Sequence, residues 1–287
     1  MGRLRSLPAL ALAATVLVPT AVAQQVLAPT ILHTARVPAV TVKSFSVACP
    51  PGYVATSGGT FRAAPGATVV SRYPTGARAF AFRIGNASAG QAHSVTAAVA
   101  CRKLRSTSAG TALTVRTVRS KPLLVPAAGR RAWALVCPSG TAPAGAGVDL
   151  DPRRAAGPTG FTGTRLSVRR MTTDLHRFLF VVRNSGRTAH SVAFSGNCIT
   201  VVRPRGAAAR SLHVRLLTFR EVLQPGRQEL TRSCPRGAIV LAVGYGVPAG
   251  LAVEATAAIR RGGKWSFANS ASTQLPATLQ LVCGAVA

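Results

Sequence analysis

The six cysteines of this 287-residue chain alternate between two sequence contexts, and this alternation constrains the fold more than any other feature. The first, third and fifth each open a Cys-Pro-x-Gly motif, at Cys49, Cys137 and Cys234. The other three each follow an Asn by 14 or 15 residues, at Cys101, Cys198 and Cys283. An aromatic residue lies four positions before each Asn, giving the pairs Phe82/Asn86, Phe180/Asn184 and Trp265/Asn269. Because these features recur in one order, they predict three homologous repeats.

The cysteine spacing favours disulfides within repeats. The offsets from first to second cysteine are 52, 61 and 49 residues, and the offset to the next repeat is 36 residues both times. Pairing within repeats uses one geometry three times: Cys49–Cys101, Cys137–Cys198 and Cys234–Cys283. A rival scheme stays open, in which Cys101–Cys137 and Cys198–Cys234 form and Cys49–Cys283 closes a ring.

Alternation of apolar and polar residues predicts an all-β fold. It is clear in residues 95–101, 192–198 and 277–283, and 113–118, 132–137, 178–182 and 212–219 are equally strand-like. Gly and Pro, which interrupt the chain every few residues, favour short strands and tight turns. We expect about five short strands in each disulfide-stapled repeat. The repeats form either sandwich-like beads or one pseudo-threefold array, and the sequence leaves both open.

The N-terminal residues have the pattern of an export signal. Arg3 and Arg5 precede an apolar run over 7–18, and Ala21-Val22-Ala23 matches a signal-peptidase site. The run is short of the ~20 residues that a membrane-spanning helix needs. We therefore expect a secreted or envelope-associated protein without a transmembrane segment after cleavage. The predicted divisions are a signal peptide (1–23), repeat 1 (24–105), repeat 2 (106–205, with a loop insertion at 148–163) and repeat 3 (206–287).

Patterns typical of catalysis are scarce, so we expect no enzyme, no metal and no cofactor. Asp174 and His176 would supply two members of a triad, but the chain has no Gly-x-Ser-x-Gly motif. Asp149 and Asp151 are interpreted as loop residues that pair with the neighbouring Arg153 and Arg154. Asn86 begins an Asn-Ala-Ser sequon, yet its repeated position favours a turn-forming role for its side chain.

The charge is strongly positive, with 35 Lys+Arg against 6 Asp+Glu and a formal net charge of +29. Arginine binds phosphate, sulfate and carboxylate groups through two parallel hydrogen bonds, so the charge suits anionic polymers or surfaces as partners. Genomic composition bias is the competing explanation of the arginine content. Sequence-specific nucleic-acid binding is not expected, because no recognition motif is present. The candidate polyanion-binding residues are Arg102, Lys103, Arg105, Arg130, Arg131, Arg153, Arg154, Arg169, Arg170, Arg203, Arg205, Arg260, Arg261 and Lys264.

The Cys-Pro-x-Gly motif, a glycine-containing stretch, the aromatic-x3-Asn pattern and the closing cysteine together resemble the repeats of secreted actinobacterial β-repeat proteins of unknown function. The glycines concerned are Gly58-Gly59, Gly145-Gly147 and Gly244-Gly246. The resemblance covers 24–287 and implies no activity. The expected function is a secreted, non-enzymatic structural or binding protein that associates with anionic polymers. The alternative is an interaction or inhibitory module that acts through 148–163. The oligomeric state is left open.

Overall fold

The computed structural model describes residues 26–64, 66–104, 111–150, 166–202 and 211–286, and all regular structure in these ranges is β. Repeat 1 contains β1 (Val26–Leu27), β2 (Thr30–Val37), β3 (Thr41–Ala48), β4 (Val54–Ala63), β5 (Ala67–Gly76), β6 (Ala79–Asn86) and β7 (His93–Leu104). Repeat 2 contains β8 (Ala112–Arg119), β9 (Leu123–Val125), β10 (Arg130–Val136), β11 (Ala142–Leu150), β12 (Leu166–Thr173), β13 (Arg177–Asn184) and β14 (His190–Val202). Repeat 3 contains β15 (Leu212–Leu223), β16 (Gly226–Ser233), β17 (Ile239–Gly246), β18 (Leu251–Ala258), β19 (Gly262–Asn269) and β20 (Leu275–Val286).

The predicted all-β class is confirmed, and the described strands of each repeat occupy six successive positions rather than about five. Two short strands share the first position in repeats 1 and 2, whereas β15 fills it alone in repeat 3. All the predicted strand segments lie in strands, except that β10 ends one residue before Cys137. The described residues contain no helix long and apolar enough to cross a membrane. The predicted signal peptide lies outside the described residues.

Each sheet is built from halves of two repeats. Sheet 1 has the order β1-β7-β4-β18-β19-β16, with β2 also on β7. Sheet 2 has the order β3-β6-β5-β11-β14-β8, with β9 on β14, and sheet 3 has the order β10-β13-β12-β17-β20-β15. In every sheet the third strand of one repeat pairs with the fourth strand of another. Three such seams close a ring, so the repeats form one pseudo-threefold array and not separate beads.

A glycine in each third strand permits these seams. Gly59, Gly147 and Gly244 occupy equivalent positions, each one residue before the residue that pairs across the seam. A Cβ atom there would lie 1.8, 2.5 and 2.6 Å, respectively, from a carbonyl oxygen of the facing fourth strand. Real Cβ atoms essentially never come within 3.0 Å of another heavy atom. The glycine stretches noted in the sequence are therefore needed for the contact between repeats.

Within each repeat, the two half-sheets pack face to face around the aromatic residue of the fifth strand. Phe82, Phe180 and Trp265 are all at most 1% exposed. The disulfides are Cys49–Cys101, Cys137–Cys198 and Cys234–Cys283, which confirms pairing within repeats. The first cysteine of each pair follows the second strand and the other lies in the sixth strand, so each bridge joins two different sheets.

The side chain of the repeated asparagine hydrogen-bonds to three chain segments at one end of each repeat. The amide nitrogen of Asn86 donates to the carbonyls of Val37 and Gln91, at 3.1 and 2.7 Å, and its oxygen accepts from the Ser88 amide at 2.9 Å. Asn184 and Asn269 make the corresponding bonds. The turn-forming interpretation is confirmed, because the Asn86 side chain accepts a hydrogen bond from the backbone amide two residues further along.

The first three residues of the predicted insertion in repeat 2 belong to a strand. Residues 148–150 are the end of β11, and 151–163 lie outside the described residues. Asp149 is consequently not a loop residue, as we had expected, but a strand residue that is 5% exposed. Small and apolar residues precede Asp149 in the sequence, and the strand that they form continues through it. The charge of Asp149 hid this strand signal in the sequence.

Candidate anion-binding sites

The structure separates the predicted basic residues into different environments. Arg105, Arg153, Arg154, Arg203 and Arg205 lie outside the described residues. Arg130, Arg131 and Arg170 are exposed on strands of sheet 3. Lys103 is exposed on a strand of sheet 1, and Arg260 and Arg261 are exposed in the β18–β19 turn of that sheet. The predicted clusters therefore do not form one surface.

Three of the predicted polyanion-binding residues contact other parts of the protein, and one of them, Arg102, is buried and so inaccessible to a polymer. Arg102 is fully buried, and its guanidinium donates to the carbonyl of Val240, at 3.1 Å from Nε and 2.8 Å from Nη2, so it holds repeat 1 against repeat 3. Burial lowers the pKa of Arg102 to about 10, which leaves it charged at neutral pH. Lys264 pairs with Glu229 at 2.9 Å. Arg169 points into a cavity described below.

Four exposed arginines lie on the outer face of sheet 3. Arg130 lies directly opposite Arg183 on the neighbouring strand. Arg170 shares a cross-sheet row with Arg220, and only Gly246 and Thr278 lie between them on the intervening strands. We name these four arginines the arginine face. Phe178, Phe180 and Val182 point into the core, so the alternation of the strand turns Arg183 outward.

No described carboxylate pairs with the arginine face. The described carboxylates all have other cations as partners: Asp149 pairs with Arg83 and Arg119, Asp174 with Arg177, Glu221 with Arg232, Glu229 with Lys264 and Glu254 with Arg227. Asp149 lies on sheet 2, Glu229 and Glu254 lie on sheet 1, and Asp174 and Glu221 belong to sheet 3, but neither of the last two pairs with the arginine face. Arg183 and Arg220 were not among the predicted residues, although both alternate with apolar core residues of their strands.

A second cationic feature is a cavity of about 430 Å³ on the pseudo-threefold axis, where the fourth strands of the three repeats meet. Its rim is exposed at Gly66 and Ala252. Its floor is formed by Arg72, Met171 and Thr256, which occupy equivalent positions because each pairs with the aromatic residue of its own repeat. We name this space the axial cavity.

Arg72 is the charged group at the floor of the axial cavity. It is 9% exposed, and its Nη1 donates to the Thr256 hydroxyl while its Nη2 lies 3.6 Å from the sulfur of Met171. Burial lowers the pKa of Arg72, and the nearby Tyr245 opposes that effect. The equivalent residues are Met and Thr, so an alignment of the repeats would have singled out Arg72, which the sequence analysis did not.

Arg169 adds a second guanidinium to the cavity wall. Its Nη1 donates to the carbonyls of Pro248 and Leu251, both at 3.0 Å, while its buried Nε has no hydrogen-bond partner. Burial lowers the pKa of Arg169, and the positive charge of Arg183 lowers it further.

The residues considered for catalysis take part in a turn. Asp174 accepts hydrogen bonds from the backbone amides of His176 and Arg177, at 3.2 and 3.1 Å, and pairs with the Arg177 side chain. The Arg177 hydrogen bond lowers the pKa of Asp174 although burial opposes this. Its carboxylate therefore stabilises the β12–β13 turn and does not orient the His176 ring.

A scan against protein-family models and a search of curated proteins find no match to this chain.

Proposed function

We propose that this is a secreted, non-enzymatic binding protein that associates with anionic cell-envelope polymers or other polyanions through the arginine face. The observation that carries the proposal is that the four exposed arginines of the arginine face have no described carboxylate as a partner. The two described carboxylates of sheet 3, Asp174 and Glu221, pair with Arg177 and Arg232 instead. The four guanidinium groups are therefore available to an anionic ligand.

The spacing of the arginines supports an extended ligand. Arg170 and Arg220 are three interstrand steps apart, which corresponds to about 14 Å across the sheet. The residues between them, Gly246 and Thr278, are small and leave the row open. Each guanidinium can bind a phosphate, sulfate or carboxylate in a bidentate manner. A polymer with regularly spaced anionic groups can therefore contact several arginines at once.

The disulfides support secretion. Three bridges within one chain are typical of oxidising compartments, and the predicted export signal accounts for delivery there. The resemblance to secreted actinobacterial β-repeat proteins stays a prediction and points to the same compartment.

Salt-gradient elution from heparin-agarose tests the proposal. The wild-type protein is expected to stay bound above physiological salt, because contacts between arginines and anionic groups release counterions. An Arg130→Gln/Arg183→Gln variant is expected to elute at clearly lower salt. A matched control, Arg36→Gln/Arg62→Gln, removes the same charge from exposed positions on sheet 1 and is expected to elute close to wild type.

Two results would contradict the proposal. Loss of wild-type retention below physiological salt would show that the charge does not support binding outside the cell. Equal shifts for the two double variants would show that net charge acts without any contribution from the arginine face.

The alternative, an interaction or inhibitory module that acts through 148–163, rests on residues that lie mostly outside the described ranges. Pull-down of a protein partner that is lost when 151–163 are deleted would favour it over polyanion binding.

A further inference from the structure

The axial cavity contains a buried positive charge without a negative partner among the described residues. Arg72 hydrogen-bonds to a hydroxyl and a thioether, both of which are uncharged. Burying a guanidinium removes its hydration, and the usual compensation is an opposite charge at hydrogen-bond distance. The two contacts use two of the five N–H groups of the guanidinium, so donors remain for an anion.

Glu254 does not provide the missing charge. It is the carboxylate among the described cavity-lining residues, but one of its oxygens already accepts from Arg227 at 3.1 Å. It occupies the bulge position of its strand, equivalent to Arg169 in repeat 2, and is half-buried toward the rim. The floor of the cavity is therefore cationic, and the Arg169 guanidinium adds a second positive charge to the lining.

The walls above the floor are predominantly apolar. Leu150, Leu166 and Leu251 are at most 4% exposed, and Val168 and Val253 lie beside them on the lining. The volume of about 430 Å³ falls in the range of small-molecule sites, which are typically apolar with a few placed polar groups. An inorganic anion would contact only the floor, and the apolar walls would stay exposed to water.

We propose that the axial cavity binds an organic anion with an aliphatic chain, whose carboxylate pairs with Arg72 and whose chain packs along the apolar walls. The carboxylate supplies the counter-charge at the floor. The chain covers the leucine and valine side chains toward the rim. This site is separate from the arginine face, and its ligand is a small molecule and not a polymer.

Isothermal titration of the full chain with decanoate below its micellar concentration tests this assignment. One decanoate per chain is expected to bind. Arg72→Met is expected to weaken binding by at least about tenfold, the effect of losing one charge-assisted hydrogen bond. Met is the residue at the equivalent position in repeat 2, so the fold accommodates it. Arg170→Met, on the arginine face, is the matched control and is expected to leave decanoate binding unchanged.

A second variant and two further probes separate the contributions. Val168→Trp places a large side chain on the half-buried apolar wall, away from Arg72, and is expected to block decanoate. Decan-1-ol has the chain without the charge, and sulfate has the charge without the chain. Both are expected to bind at least about tenfold more weakly than decanoate.

The outcomes are distinct from those of the heparin experiment. Absence of decanoate binding, binding that survives both variants, or equal affinity for decan-1-ol would overturn the assignment. Sulfate that binds as tightly as decanoate would replace it with a simple inorganic-anion site. Arg72→Met is expected to elute from heparin like wild type, so either proposal can fail without the other.

Discussion

Replacing Gly59 with alanine tests whether the seams between repeats hold the array together. The new Cβ would lie 1.8 Å from the carbonyl oxygen of Thr256, so the two strands would have to separate by at least 1.2 Å to reach the 3.0 Å minimum. The seam has a single register pair, Thr60 with Thr256, which is adjacent to Gly59, so the shift falls directly on that pair. We expect a loss of more than about 3 kcal/mol in the free energy of unfolding, beyond the usual cost of overpacking.

Denaturant unfolding of a set of Gly→Ala variants measures this effect. Gly244→Ala requires a shift of only 0.4 Å from its nearest atom, the Met171 carbonyl oxygen at 2.6 Å, and is expected to cost less than Gly59→Ala. Gly76→Ala is the control, because nothing lies within 4 Å of its Cβ position and its φ is not positive. It is expected to be neutral or to stabilise by about 0.4–1 kcal/mol. If Gly59→Ala unfolds within about 1 kcal/mol of Gly76→Ala, the close approach at the seam does not support the array.

Three further changes have definite expected effects on stability, each checked by denaturant unfolding. Asn86→Ala removes two donated and one accepted hydrogen bond from a buried site and is expected to lower the free energy of unfolding by about 3 kcal/mol. Ser88→Ala keeps the backbone amide that bonds to Asn86, so it is expected to change that free energy little. Replacing both Cys234 and Cys283 with serine opens a loop of 49 residues and is expected to cost about 4 kcal/mol, and an unchanged midpoint would contradict this. Arg72→Met without ligand is expected to gain about 1–3 kcal/mol, since it removes a buried charge that lacks a counter-ion, and a loss of stability would argue against that cost.

The features that repeat in the sequence predicted the local structure well. The cysteine offsets led to the observed disulfides, because one bridge geometry recurs in each repeat. The aromatic residue and Asn86 with its equivalents were predictable for the same reason: each acts within its own repeat. A pattern that recurs three times identifies contacts that are formed three times.

Contacts between repeats were not predictable in this way. The pairing of β4 with β18 joins residues almost 200 positions apart, and no local pattern specifies which fourth strand meets which third strand. Arg102 and Asp149 were misplaced for this reason. Their charges suggested solvent, but Arg102 bonds to a carbonyl of repeat 3 and Asp149 to the Ser71 hydroxyl of repeat 1. The arginine face also depends on a sheet that two repeats share.

The threefold arrangement limits the floor of the axial cavity to one arginine, and this leads to a last prediction. Three identical repeats would place three identical side chains on the axis, and three arginines at the floor would repel one another. The separate identities of Arg72, Met171 and Thr256 avoid this, since one arginine meets two neutral residues. Met171→Arg would bring a second guanidinium to within roughly 5 Å of Arg72 and is expected to cost about 3 kcal/mol at an effective dielectric constant of 20.

A swap variant, Arg72→Met/Met171→Arg, keeps the composition and returns the floor to one positive charge. It is expected to recover most of the stability that Met171→Arg loses, because the cation only moves from repeat 1 to repeat 2 around the axis. Thermal unfolding of the two variants beside wild type checks this. Equal destabilisation of the single and swap variants would mean that the bulk of arginine at that position, and not charge repulsion, limits the axis to one arginine.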